Sequence, residues 1–466
     1  MSTNSMFRQR VRGLVLAALT VAVAGALVST DASASGFQIK ENSAKALGRA
    51  FAGVDTAGND ASVVVNNPAA MSDLNGMVFQ ADVTAIDVNT QFHGSGTDAF
   101  GAPLSGGNGG NGGDVTPVPA MYFSAPINDA WRLGLAFSAP YGLKTEYDSG
   151  WVGRYQALKS KVTSMDLTGS ISWQVNPQIA LGLSVIAQKT KVDLSNAVDF
   201  GALIAGTYIA QCVGAGGDPA TCAAGSPAAP QSLDGTARVQ GDDWSYGWAL
   251  GAEFKPTAQD RIGLSYHAKI NHTISGTASF EVPPMAQAIF AQAGLSALFQ
   301  NTPASGDFAT PASATLSYWH IGNGPVSWGA NLGWTGWSSF KQLAISYTNP
   351  AQPPTVETYS WRNTFFGSLG MDYKLNEQWT LRGGVAVDQT PTRDSTRDPR
   401  IPDGFRRWLA FGVGYAPSQN VEFNLGVAHL FVDNGDVNDM SATGDHLVGS
   451  FDNSGNLLSV SGTFHF

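Results

Sequence analysis

Between residues 76 and 466, short turns and long connections alternate without a break, and few folds accept that rhythm. Short turns fall at 126–130, 176–178, 255–260, 322–325, 375–377 and 417–419. Long connections fall at 93–114, 142–162, 196–236, 279–307, 347–360, 391–404 and 432–455. Six short and seven long connections separate fourteen strands. The stretches between them alternate with period two: Ile262, Leu264, Tyr266 against Gly263, Ser265, His267, and Leu458, Val460, Phe464 against Ser459, Ser461, Thr463. A soluble sandwich would alternate in the same way. An even strand number with short turns at one end and long loops at the other is instead the signature of an outer-membrane barrel. Closure also leaves no unpaired edge in the bilayer. We therefore expect an all-β, fourteen-stranded antiparallel transmembrane barrel over 76–466, with Trp173, Tyr415 and Phe466 in interfacial girdles and Phe466 on the periplasmic side.

Composition agrees. Charged residues are 13% of the chain, against about 25% in soluble domains. Apolar residues are only 43%, and no repeated runs of about 20 apolar residues would build a helical bundle. The balance of 26 Lys+Arg against 36 Asp+Glu argues against a nucleic-acid partner. Residues 1–34 read as a signal peptide: Arg8, Arg10 and Arg12, an apolar stretch from Leu14 to Val28, then Ala32-Ser33-Ala34. The alternative is an N-terminal membrane anchor. Export to an oxidising compartment makes a disulfide the expected state of Cys212 and Cys222, which share one long loop.

Residues 35–75 break the strand pattern, with a short helix expected within Ser43–Gly53. A periplasmic tail, an extra domain or a plug in the lumen would each account for them. The segment is apolar and a fourteen-stranded lumen is too wide for its own side chains to fill, so a plug is favoured. The long loops at 196–236 and 279–307 carry apolar stretches, including Phe200, Ile204, Ile289, Phe290 and Leu298. These residues either cover one another or form a surface groove that collects an apolar ligand. Pro140, between Ala139 and Tyr141, cannot donate to a strand ladder, so it either kinks the third strand or begins the following loop. A buried carboxylate ligand would need a cation, and Lys189, Lys191, Arg393, Arg397 and Arg400 are candidates. Each could equally be a solvated charge. The sequence has no G-x-S-x-G, no H-E-x-x-H and no Cys/His metal spacing. No enzyme activity, metal or cofactor is expected. An outer-membrane lipase or a general diffusion porin would be the contrary readings.

Several motifs resemble the FadL family of outer-membrane transporters. They are Gly36-Phe37-Gln38-Ile39, Leu47 to Gly53 (LGRAFAG), Asn67-Pro68-Ala69, Tyr141 to Tyr147 (YGLKTEY), Trp244 to Trp248 (WSYGW), Gly336 to Phe340 (GWSSF) and Ile401 to Arg406 (IPDGFR), in family order over nearly the whole mature chain. The resemblance implies passive transport of long-chain fatty acids or other hydrophobic compounds, with aromatic hydrocarbons as the alternative cargo. It implies an N-terminal hatch containing Asn67, Pro68 and Ala69, a ligand-side role for Phe37, and a lateral opening at Ala139-Pro140-Tyr141. Asp388 matches an acidic position facing that opening. The family's two lumenal bases fall near Leu194 and near 356–359, where this chain has no base. The expected partners are a hydrophobic small molecule and the lipid or lipopolysaccharide of the outer membrane, with the protein expected to be a monomer.

Overall fold

The computed structural model describes residues 36–56 and 60–466, so the expected leader lies outside the described residues. Twenty strand segments join one sheet. The first, Val78–Thr97, pairs along its whole length with the last, His446–His465, which closes the sheet into a barrel. Six wall strands are each interrupted once, so twenty segments make fourteen strands. The interrupted strands are the third (Trp131–Ser138, Gly142–Glu146), seventh (Asp260–His267, Ile270–Glu281), eighth (Thr302–Thr310, Ser313–His320), ninth (Val326–Thr335, Gln342–Tyr347), tenth (Thr355–Thr358, Thr364–Lys374) and thirteenth (Val421–Val432, Gly435–Met440). Neighbours are antiparallel throughout, and the six short turns join them at one end. One long connection is corrected. Most of 432–455 continues the ladder as Gly435–Met440 against His446–Phe451, leaving only 441–445 as a tip. Antiparallel pairing needs no membrane, so the hairpin runs on past the bilayer.

The wall explains the weak hydrophobicity of the chain. In the fifth strand, Ile179–Asp199, Leu181, Leu183 and Val185 face outward while Ser184, Gln188 and Thr190 are buried inside. Apolar residues meet lipid and polar ones line the lumen. At the short-turn end Trp131 stacks on Trp173 at 5.5 Å, and Trp379 lies 4.5 Å from Tyr415, as interfacial aromatics do.

Residues 36–56 and 60–75 lie within this wall. Their helical pieces are Ala44–Leu47, Val63–Asn66 and the 3-10 turn Pro68–Asp73, so the expected helix across Ser43–Gly53 is only one turn long. Ser43 caps the first by accepting from the Ala46 N–H, and Asn67 caps the last by accepting from the Ala69 N–H, with Pro68 at the first position. The segment reaches opposite sides of the barrel. A β-carbon on Gly412 of the twelfth strand would lie 2.8 Å from the Gly48 Cα, and one on Gly182 of the fifth 2.3 Å from the Ala69 nitrogen. Ion pairs fasten it: Lys45 to Glu422 at 2.8 Å, Arg49 to Asp372 at 3.3 Å, and Asp73 to both Lys255 and Arg261.

Outside the wall, Asp199 caps the helix Phe200–Gly214 and Asp218 caps Pro219–Ala224, each accepting from a first-turn N–H. Cys212 and Cys222 form a disulfide between these helices, with Cα atoms 5.7 Å apart. The helix Pro284–Gln292 packs against the first of them through Phe200 and Phe290, whose ring centres lie 5.8 Å apart.

Candidate functional site

Phe37 is the centre of a buried aromatic cluster. It is 2% exposed, and its ring lies 4.6 Å from Trp337, 5.5 Å from Phe308 and 5.6 Å from Trp361. Three of these partners stand beside strand interruptions, where the chain leaves the ladder and turns large side chains inward. Beside the cluster is a narrow apolar cavity that opens to solvent. Its walls are apolar, with Val162, Val192, Leu194, Ile274, Ile345 and Leu343 contributed by four strands. Phe37 closes one end and Arg400 stands at the other.

Arg400 comes from the loop after the eleventh strand. Its guanidinium donates to the Ser160 hydroxyl (3.3 Å), the Ser195 carbonyl (3.3 Å) and the Asn196 side-chain oxygen (3.2 Å). Neighbouring Asp398 accepts from the Tyr359 hydroxyl at 2.8 Å and from the backbone N–H groups of Arg400 and Ile401. Burial pushes the Asp398 carboxyl up from its ordinary range, against the opposing pull of Arg400.

The wall beside this cavity is incomplete. The second strand, Val115–Pro126, pairs with the third only from Met121 opposite Phe137 down to Pro126 opposite Arg132. Above that level 115–120 pairs with the first strand alone. Gly142–Glu146 likewise pairs with the fourth strand alone. The window is bounded above by the Glu146 N–H donating to the Gly112 carbonyl and by the Lys144–Asp114 ion pair. The break sits at Ala139-Pro140, and residues 37–39 supply the missing neighbour from inside. Ile39 donates to the Pro140 carbonyl at 2.8 Å and Gly142 donates to the Phe37 carbonyl at 2.9 Å. A cleft opens here, and it shares Leu143, Val162 and Ile401 with the apolar cavity.

The remaining candidates are scattered. Lys189 and Lys191 carry the outward parity of Leu181 and Val185; Lys189 pairs with Asp242 and lies over the Trp244 ring, and Lys191 stands opposite Asp242 in register. Neither reaches the lumen, which corrects their place among ligand partners. Arg393 is exposed and donates to the Ser360 carbonyl, outside the cavity. Asp388 is buried at the end of the eleventh strand, opposite Arg406 and 3.7 Å from Lys40. Asn67 donates to the carbonyls of Asp55 and Ala252, holding the 67–69 turn to the sixth strand. Phe200, Ile204 and Phe290 are buried against one another, with Ile289 and Phe299 packed beside them. That is the covering alternative, since these side chains hold the loops together, while Leu298 is half-buried and Met285, Leu295, Tyr208 and Val213 form the exposed apolar surface.

Comparison with known proteins gives a consistent answer. The chain is 28% identical over 422 residues to the long-chain fatty acid transport protein of Escherichia coli strain CFT073, covering 88% of this chain and 90% of that one. It is 28% identical over 424 residues to outer membrane protein P1 of Haemophilus influenzae, covering 88% and 89%. Among solved structures, a Pseudomonas aeruginosa FadL homologue superposes with a TM-score of 0.84 at 31% identity, covering 93% of this chain and all of that one. The Pseudomonas putida toluene transporter TodX shares the fold, with a TM-score of 0.63 at 19% identity over 90% and 98% of the two chains. The profile of the outer membrane protein transport family (OMPP1/FadL/TodX) matches residues 25–466, and the chain belongs to that family of outer-membrane transporters.

Proposed function

We propose that this protein carries long-chain fatty acids and similar amphiphiles across the outer membrane without energy input or chemical change. One observation carries the reading: an apolar cavity, closed by Phe37, shares a wall with a gap between the second and third strands. Ligand settles on the exposed apolar surface of the 196–236 and 279–307 loops and enters the cavity. The hatch, residues 35–75 with the Asn67-Pro68-Ala69 turn, blocks the way down. Release is sideways past Ala139-Pro140-Tyr141. Returning an acyl chain to water costs about 0.8 kcal/mol per CH₂, so a path into the bilayer avoids roughly 10 kcal/mol for a sixteen-carbon chain. The names of the relatives, fatty acid transport proteins on one side and toluene transporters on the other, favour the amphiphile because the relatives at 28–31% identity are of the first kind or its homologues.

The test is growth of a strain lacking the gene. Complementation on oleate as sole carbon source supports the reading, whereas complementation for toluene utilisation alone would replace it with hydrocarbon import.

A further inference from the structure

The outer, lipid-facing side of the wall carries a cluster of bases at the long-loop ends of the third to sixth strands. Four carboxylates face the same way, and each is engaged: Asp114 by Lys144, Glu146 by Lys159 at 3.7 Å, Asp193 by Arg238 at 2.8 Å and Asp242 by Lys189. Lys161 and Lys191 remain, both exposed and without an ion pair among the described residues. Lys161 stands opposite Lys144 on one side and Asp193 on the other, and Lys191 stands opposite Asp242, so the acids across from them are already taken. The register puts the two lysines one diagonal step apart, about 7–8 Å between backbones. In a chain of net charge −10, this local excess of positive charge fits an anion from outside the chain.

We propose that Lys161 and Lys191 bind the phosphates of lipid A, the diphosphorylated and multiply acylated disaccharide of lipopolysaccharide, which gives the expected outer-membrane lipid a defined place on the barrel. Height on the wall carries the argument. On the fourth strand Lys161 lies twelve residues from Trp173 of the short-turn girdle; on the fifth, Lys191 lies ten from Leu181, the register partner of Trp173. At about 3.3 Å per residue and a tilt of about 40°, these are heights of roughly 30 and 25 Å. The apolar band of an outer-membrane barrel is about 25 Å tall, so both lysines stand where it ends. Trp244 and Tyr246, 49% and 77% exposed, mark the same boundary on the sixth strand, with Trp244 opposite Lys189. Below the lysines, Leu167, Leu183 and Val185 face outward and offer acyl chains an apolar bed. Phosphates therefore meet the lysines and tails meet the hydrocarbon band, in the order in which lipid A presents them. A phospholipid brings a single phosphate, and two lysines on separate strands fit it less well. Lys144, paired in register with Lys161, also bounds the wall gap from above, so a lipid held here flanks that gap with its acyl chains.

The test is native mass spectrometry of the purified full-length barrel titrated with diphosphoryl lipid A and, separately, with dioleoylphosphatidylglycerol. Wild type binds lipid A more tightly than phosphatidylglycerol. The double variant Lys161→Gln, Lys191→Gln lowers lipid A affinity by roughly tenfold or more, as for two surface charges lost opposite an anionic headgroup, and leaves phosphatidylglycerol unchanged. The double variant Lys161→Arg, Lys191→Arg keeps the charge and retains lipid A. Lys374→Gln, which removes an exposed lysine at the short-turn end of the barrel, changes neither lipid. Wild type binding both lipids alike overturns the proposal. Unchanged lipid A affinity in the glutamine variant overturns it too, as do equal losses for both lipids, which report an unspecific charge effect.

Discussion

At the residue scale, single atoms decide whether the lumen stays filled. A β-carbon on Gly251 would lie 2.1 Å from the Asn67 side-chain oxygen, so Gly251→Val must push the 67–69 turn off the sixth strand. We expect that variant to fold as a barrel but to show bursts of ion conductance in planar bilayers. Gly383→Ala, whose β-carbon would meet nothing within 4 Å, stays silent and controls for the loss of a wall glycine. Residue-level signals in the sequence were unequal. The outward placement of Lys189 and Lys191 was readable, because they share the parity of Leu181, Leu183 and Val185. Arg400 was readable only as one of several loop bases. Nothing periodic marks a loop residue, and its approach to Ser160 depends on how the whole loop folds back over the barrel.

At the element scale, the third strand gives up part of its ladder. Replacing Ala139-Pro140 with Val-Thr restores an N–H and two strand-forming side chains, and should close the window. The expected outcome is loss of fatty acid uptake with cavity binding retained; uptake at the wild-type rate would place the exit elsewhere. In the loops, the Cys212–Cys222 bridge closes a segment with a sequence separation of 10. Removing it with a Cys212→Ser, Cys222→Ser double variant should cost the loop about 2–3 kcal/mol. Limited proteolysis of whole cells should then cut this loop faster, while the barrel melts at an unchanged temperature. The short turns were legible from the sequence because local residues make them, as Asn176 does by accepting from the N–H groups of Gln178 and Ile179. The interruptions at 268–269, 311–312 and 336–341 were not. They follow from side chains such as Trp337 turning into a cluster whose members come from distant parts of the chain.

At the scale of the whole molecule, the wall and its contents are separable in sequence yet interlocked in space. A fourteen-stranded barrel emptied of residues 36–70 has a lumen wider than its side chains fill. Deleting that segment should convert a nearly silent protein into a steadily conducting pore, and unchanged conductance would show that the segment does not seal it. The strand count followed from connection lengths spread over the whole chain, which is why the architecture was more legible than the site. The full-length seam between Val78–Thr97 and His446–His465 has a consequence for biogenesis. It joins the first strand made to the last, and the segment it encloses is already wedged against the fifth and twelfth strands with no room for a β-carbon between them. We expect an order of assembly to follow: the amino-terminal piece seats in the half-built sheet before the final strand zips shut, so a barrel supplied with that piece only after closure should leave it unseated.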